Sequence, residues 1–254
     1  MALALIVAAG RGERLGAELP KALVPVHGRP MLSWSVTALQ AVPRVSTIVV
    51  ALPADQLTHA PAGTLAVAGG ATRSESVLLA LRAAAAHSAV LGRGGNEAAA
   101  LTGTDGSLDA LAAADEAVIV HDAARIFATA ELFNAALDEL EVSRSEAVVV
   151  AAPVTDTIKQ TVAGAERCGD GLVVSRTLDR SRLWAVQTPQ VFRSSALLRA
   201  LNCDPELVGA ATDDAWLVEQ AGGKVVVLPA SAENFKITTP IDLRLAELIL
   251  SSRG

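Results

Sequence analysis

Leu5 to Leu32 reads LIVAAGRGERLGAELPKALVPVHGRPML, and the fold turns on the residues that come after its glycines. The apolar run LALIVA over 3–8 has the length of a buried strand, and Gly10, Gly12 and Gly16 come directly after it. Several phosphate-binding loops begin this way. A Walker loop needs Gly-Lys followed by Ser or Thr, whose hydroxyl holds a metal, whereas Lys21 follows Pro20 and precedes Ala22. A dinucleotide loop needs a helix that starts within the glycines, because the pyrophosphate rests on its N-terminus. Pro20, Pro25 and Pro30 forbid a continuous helix from Gly12 onward. An acidic residue closing a second strand about 20 positions on is also missing, since that strand comes only at Ser46. What remains is a broad loop whose backbone N–H groups line a polyphosphate, with Arg14 and Lys21 projecting into it as fixed positive charge.

Outward from the loop, short β-branched runs alternate with helical patterns. Strands are read at 3–8, 46–52, 116–122, 146–153 and 223–229, each apolar without alternation, as strands buried on both faces are. Helices are read at Pro30–Ala41, Arg73–Ala86, Thr129–Leu140, Ser194–Leu201, Asp213–Ala221 and Pro240–Ser251, with Pro30 in a first turn that tolerates it. The class is therefore α/β: a Rossmann-like twisted, mostly parallel sheet flanked by helices. A chain of 254 residues suits a single domain, 1–254. The stretch 87–115, rich in Gly, Ala and small polar residues, reads as a surface insertion. From 155 to 184, two strand-like pieces around Gly169-Asp170-Gly171 read as a protruding β-hairpin arm.

Composition excludes several functions. The net charge is -6 with no block of like charge, so neither nucleic acid nor an anionic membrane is an expected partner. No apolar run approaches the roughly 18 residues that span a bilayer. The N-terminus lacks the basic leading region of a signal peptide. Cys168 and Cys203 have neither metal-ligand spacing nor a disulfide framework, which suits a reducing compartment; the cytoplasm is the expected location.

Further motifs narrow the chemistry. AAGRGERLGAELPK (8–21) resembles the signature loop of the nucleotidyltransferases that activate sugar and polyol phosphates. HDAAR (121–125), GGATRSESV (69–77), APVTDTIK (152–159), TLDRSRLWAVQTPQVF (177–192), TDDA (212–215) and FKITTPIDLRLAE (235–247) accompany it. Together they resemble the 2-C-methyl-D-erythritol 4-phosphate cytidylyltransferase family, over nearly the whole chain outside 87–115. That resemblance implies a nucleotide-diphospho-sugar transferase type of fold. It also implies a homodimer clasped through the 155–184 arm, and Mg2+-dependent transfer from CTP in non-mevalonate isoprenoid precursor biosynthesis.

The resemblance carries roles onto matching residues. Arg14 and Lys21 would stabilise the triphosphate as its α-phosphorus becomes pentacoordinate, and the backbone of Ala8, Ala9 and Gly10 would meet the nucleotide. Gly70 and Ser76 would select cytosine, with Arg73 nearby; Arg180 and Lys236 would orient the attacking phosphate. Asp122, Arg125, Thr157 and Thr188 fall on the polyol phosphate side, Thr157 and Arg180 reaching it from a partner subunit. The metal ligands are unassigned, Asp122 being the candidate, mainly alongside CTP phosphates. Two readings of Asp122 stand side by side, a ligand group and an N-cap for a helix from Ala123, while His121 reads as a buried, hydrogen-bonded histidine. Thr188 also reads as a simple turn residue before Pro189. Arg176 and Arg182 read as surface charges.

The chain departs from the family pattern at Val7 and Ile126, where proline is common, at Ala22, where glutamine is, and at Thr72, where an acidic residue is. Three rivals remain open: a ribitol 5-phosphate cytidylyltransferase, a nicotinamide-dependent oxidoreductase, and a catalytically silent nucleotide-binding regulator. The four cations Arg14, Lys21, Arg180 and Lys236 speak against the last, because a silent relative has no use for all of them.

Overall fold

A computed structural model describes residues 1–10, 12–16, 19–92, 108–162 and 167–253. The chain opens with β1 (Ala2–Val7) and the glycine-rich loop, in which single 3-10 turns at Glu13–Leu15 and Lys21–Leu23 stand where a dinucleotide fold has its long helix. A two-residue-per-strand hairpin, β2 (Pro25–Val26) and β3 (Arg29–Pro30), precedes α1 (Met31–Gln40). Pro30 thus sits one residue ahead of the first helical turn in which it was expected.

Then come β4 (Val45–Leu52), β5 (Leu65–Ala68), α2 (Arg73–Gly92), α3 (Leu108–Ala114), β6 (Ala117–Asp122), α4 (Ala130–Val142) and β7 (Ala147–Pro153). The arm holds β8 (Lys159–Thr161), β9 (Arg167–Cys168), β10 (Gly171–Leu172) and β11 (Val174–Thr177). The last third runs through β12 (Trp184–Arg193), α5 (Ser194–Leu201), α6 (Pro205–Ala210), α7 (Asp214–Gln220), β13 (Val225–Pro229) and α8 (Pro240–Arg253).

Seven strands form one sheet in the order β13-β7-β12-β6-β1-β4-β5, parallel except for β12, which lies antiparallel between β7 and β6. Successive residues of β1 enter opposite cores: Ala4 and Ile6 pack with α1 and α4 (Leu32, Val36, Phe133, Leu137), Leu3 and Leu5 with α2, α5 and α7 (Leu81, Leu197, Leu217). Burial on both faces is why these strands carry no polar alternation. Each fully buried leucine here is worth about 2–5 kcal/mol against alanine.

Two strands of the seven-stranded sheet were not read from the sequence. β5 is a four-residue edge strand, LAVA, half of it alanine, which has little strand preference. β12 contains Pro189, which argues against a central strand, but pairing with β7 jumps from Val186 to Gln190, so the proline falls in a bulge outside the ladder.

The stretch 87–115 is helical at both described ends. α2 continues to Gly92, beyond Ala86, and α3 lends Leu108 and Leu111 to the core around α5. Ser194 Oγ donates to Leu111 O at 2.7 Å and Ser195 Oγ to Asp115 at 2.6 Å, tying that end down. Residues 93–107, the middle of the expected insertion, lie outside the described residues. The arm is the antiparallel ribbon anticipated, with Lys159 opposite Thr177, Cys168 opposite Gly171, and a turn at Gly169, whose φ of 62° suits glycine.

Candidate active site

In an open α/β sheet, ligands bind at the carboxyl ends of the strands where the order reverses. Here the chain goes from β1 to β4 and β5 on one side, then returns to β6 on the other. The cleft that opens at this point has a volume of about 1160 Å3. Its walls are the segments that leave the strands: Ala8–Gly10 after β1, Pro53–Gln56 after β4, Gly69–Arg73 after β5 and Asp122–Ala124 after β6. Lys21, Arg14 and Lys236 reach it from loops. A space of this size exceeds a common single-ligand pocket and suits two ligands side by side.

Close backbone approach shapes the floor. A Cβ on Gly69 would lie 2.3 Å from Ala9 Cβ, so only glycine lets the β1 and β5 exits meet. Gly12, at φ 73°, passes the base of Lys21, and a Cβ there would lie 2.6 Å from Lys21 Cβ. The glycine spacing of the opening stretch therefore places the lysine. Ser76 Oγ accepts from Gly70 N at 3.1 Å and donates to Thr72 O at 2.9 Å, folding the 69–72 turn. Thr72 Oγ1 accepts from Glu75 N while Glu75 accepts from Ala71 N, a reciprocal cap that starts α2. That local bonding accounts for threonine at 72.

Charge converges on Asp122. Lys236 Nζ lies 2.7 Å from its Oδ2 and Arg73 Nε 3.6 Å from its Oδ1. Burial alone would raise this carboxyl, but the Arg73 and Lys236 cations outweigh it and hold Asp122 well below the usual carboxylate range. No helix starts at Ala123; α4 begins at Ala130 with Thr129 as its cap, so the capping reading of Asp122 fails and its side chain faces the cleft. Burial, with Lys236 close by, pushes the Lys21 ammonium down to about 8. The cleft is lined by Arg14, Lys21, Arg73 and Lys236 against Asp55 and Asp122, leaving a surplus of positive charge for phosphates.

Behind this first layer lies a polar one. Arg73 is paired on its far side with Asp214, which is fully buried at the start of α7; burial pushes that carboxyl up while Arg73 opposes it. Asp213 caps α7, accepting from Trp216 N at 2.8 Å. Of the two carboxylates in TDDA, the first caps α7 and also accepts from Gln190 Nε2 at 2.8 Å, and the second turns inward, a division the sequence does not disclose. Thr188, expected on the polyol side, is buried: its hydroxyl accepts from Asp122 N at 3.0 Å and meets His121 Nδ1 at 3.0 Å. Toward Nδ1 the hydroxyl can donate or accept, and among the described residues His121 Nε2 has no hydrogen-bond partner. Burial pushes the imidazole down to about 4, keeping it neutral. Arg125 lies outside the cleft wall, donating to Asn234 O at 2.8 Å and Val186 O at 3.3 Å.

Arg180 and Thr157 are exposed on the arm and do not line the cleft of their own chain; Arg180 donates to Thr155 O. Residues that sequence reasoning did not single out are Asp214, Gln187, Asn234 and Thr238. Gln187 precedes Thr188, and Asn234 and Thr238 flank Lys236 two residues on either side, but no pattern around them disclosed their roles.

The 2-C-methyl-D-erythritol 4-phosphate cytidylyltransferase (IspD) family model matches residues 2–95 and 87–252. The chain belongs to that family. A relative of this name from Saccharopolyspora erythraea is 40% identical over 98% of this chain and 99% of its own. One from Prochlorococcus marinus is 35% identical over 98% of both. The crystal structure of the Thermus thermophilus cytidylyltransferase superposes with a TM-score of 0.67 at 29% identity, covering 97% of this chain and 98% of that one. That from Francisella tularensis gives 0.71 at 27%, with the same coverage. A family of nucleotidyltransferases accounts for a cation-lined cleft with no long helix at the glycine loop, and the dinucleotide reading falls away.

Proposed function

We infer that the protein joins CTP to 2-C-methyl-D-erythritol 4-phosphate, giving 4-diphosphocytidyl-2-C-methyl-D-erythritol and pyrophosphate, a step of isoprenoid precursor biosynthesis. The observation that carries this is the gathering of Lys21, Arg14, Arg73 and Lys236 around Asp122 in one cleft of a chain that matches the family end to end. A phosphate oxygen of the polyol attacks the α-phosphorus; the new O–P bond forms as the bond to the β-phosphate breaks, and pyrophosphate leaves. The attacking phosphate is already largely dianionic at neutral pH, with a second pKa of about 6, so no general base is needed. Holding two anions together is the obstacle, and fixed cations overcome it.

Lys21 and Arg14 take the triphosphate, the backbone of Ala8, Ala9 and Gly10 and the 69–76 turn take the nucleoside, and Lys236 takes the polyol phosphate. Asp122 fits a Mg2+ ion: it is ionised, anchored and faces the cleft, and this metal commonly uses one or two carboxylates with substrate phosphates. When bound, Mg2+ would neutralise charge on the phosphate oxygens.

We also place the protein as a homodimer in which Arg180 and Thr157 of each arm enter the partner's cleft. Their exposure, together with Leu172, Val174 and Val186 at 43–50% exposure, supports this reading. The cytoplasm is its proposed location; among the described residues no helix is long and apolar enough to cross a membrane. The test is pyrophosphate release with each of CTP, UTP, ATP and GTP against methylerythritol phosphate and ribitol 5-phosphate. CTP with methylerythritol phosphate is expected to turn over fastest; turnover with ribitol phosphate alone overturns the substrate.

A further inference from the structure

Lys236 stands in a loop, 230–239, that belongs to no strand or helix, yet its ammonium meets Asp122 at 2.7 Å. A lysine side chain has several rotatable bonds and gives up about 2 kcal/mol of rotamer freedom when it is held. Its place therefore depends on how firmly its backbone is fixed. The structure contains a device for this two residues earlier. Asn234 is 3% exposed, and its side-chain amide donates to Gln187 Oε1 and to Thr188 O, both at 2.9 Å. Gln187, also buried, donates through Nε2 to Ser231 O at 3.1 Å.

The two ends of this chain are backbone carbonyls, Ser231 O and Thr188 O, which can only accept. Both amide orientations follow from that, and neither can flip without setting oxygen against oxygen. The network then continues into the site. The hydroxyl of the same Thr188 accepts from the backbone N–H of Asp122 and meets His121. The Asn234 backbone carbonyl accepts from Arg125, and Ile237 N donates to Ala124 O at 3.0 Å. One buried residue of the β12 bulge thus holds Asp122 with its side chain and the Lys236 loop with its carbonyl.

We propose that Asn234 is a positioning residue: through Gln187 and Thr188 it fixes the Lys236 ammonium relative to Asp122 and so sets the affinity for the polyol phosphate. This rests on the reading that Lys236 holds that phosphate. CTP, held by the glycine-rich loop and the 69–76 turn on the far side of Asp122, is bound independently of the network.

The experiment uses the full chain and measures KM for each substrate with the other saturating, in wild type, Asn234→Asp, Asn234→Ser and Lys236→Ala. Asn234→Asp keeps the shape but removes both donors and faces a carboxylate to two acceptors. It is expected to raise KM for methylerythritol phosphate about tenfold, the usual scale for losing a buried hydrogen bond, with KM for CTP changed by less than about twofold. Asn234→Ser keeps one donor without adding charge and is expected to raise the same KM about threefold, which also serves if the aspartate variant does not fold. The Asn234→Asp defect, relative to wild type at the same pH, should shrink between about pH 8 and pH 6 as the introduced carboxyl takes up a proton and regains a donor. Unchanged KM values, or a rise shared equally by both substrates, overturn the proposal while Lys236→Ala still weakens the polyol phosphate. If Lys236→Ala leaves that KM untouched, the reading of Lys236 fails first and this one with it.

Discussion

The cleft and the arm use the same cations under opposite conditions. In the cleft, Arg73 and Lys236 are partly buried and each is matched to Asp122, with Asp214 behind Arg73, so their positions are fixed before substrate arrives. On the arm, Arg176, Arg180 and Arg182 are exposed, and among the described residues the side-chain bonds of Arg176 and Arg180 reach only Gln160 and Thr155 O, in the arm and its root. A preorganised cation stabilises a transition state without reorganising when the reaction occurs. An exposed one contributes little until something desolvates it. The difference teaches that the cations of the cleft are fixed within one chain, whereas those of the arm await a partner, which is the ground for the proposed dimer.

The largest effect expected on this comparison comes from the cleft. Lys21→Ala should lower kcat about a thousandfold, the upper range for removing one transition-state donor, with a melting temperature close to wild type. Normal turnover in that folded variant would remove the triphosphate role. The arm comes next: Arg180→Ala should cost about a hundredfold in kcat/KM for the polyol phosphate, leaving KM for CTP within about twofold. Equal losses for both substrates would mean that the arm acts on the fold and not on one ligand.

Acidity separates the two regions further. With the Lys21 ammonium at about 8, kcat/KM for CTP should fall as pH rises through 8, because the free enzyme then loses the charge that meets the triphosphate. The same fall should appear in Arg180→Ala, whose lesion is elsewhere, and its absence from wild type would count against Lys21. The smallest effect concerns stability behind the cleft. His121 is held at about 4 when folded against 6.5 when unfolded, so the unfolded chain takes the proton first. Stability should be complete above about pH 6.5 and decline as pH falls to about 4, by about 3 kcal/mol in all. Denaturant titrations of His121→Gln should lack that portion of the acid slope; an identical slope would show that the imidazole is not neutral in the fold.

The comparison also marks what sequence can and cannot carry. The apolar runs of β1, β4, β6 and β7 are visible because burial on both faces forbids polar residues, whereas β13 is an edge strand with Val227 exposed; Lys21 is visible because prolines strip its loop of a helix. β12 is hidden because its proline is harmless only in a bulge, and a bulge is defined by the partner strand. Asn234, Gln187 and Thr188 are hidden for the same reason: their bonds join positions more than forty residues apart, and no local pattern encodes them. The sequence placed Thr188 on the substrate side, whereas its hydroxyl faces inward and supports Asp122. Asp214 does begin α7, but only the fold shows that Asp213 caps the helix while Asp214 turns to Arg73.

The central claim, that each cleft is completed by the other chain's arm, is tested most directly by mixing two inactive variants. Lys21→Ala protein carries an intact arm and Arg180→Ala protein an intact cleft, so a two-fold dimer containing one of each has one whole site. After subunit exchange at equal concentrations, about half the dimers are mixed, and activity should recover to about a quarter of wild type. Recovery to no more than the sum of the two parents, under conditions where exchange is complete, would contradict the shared site.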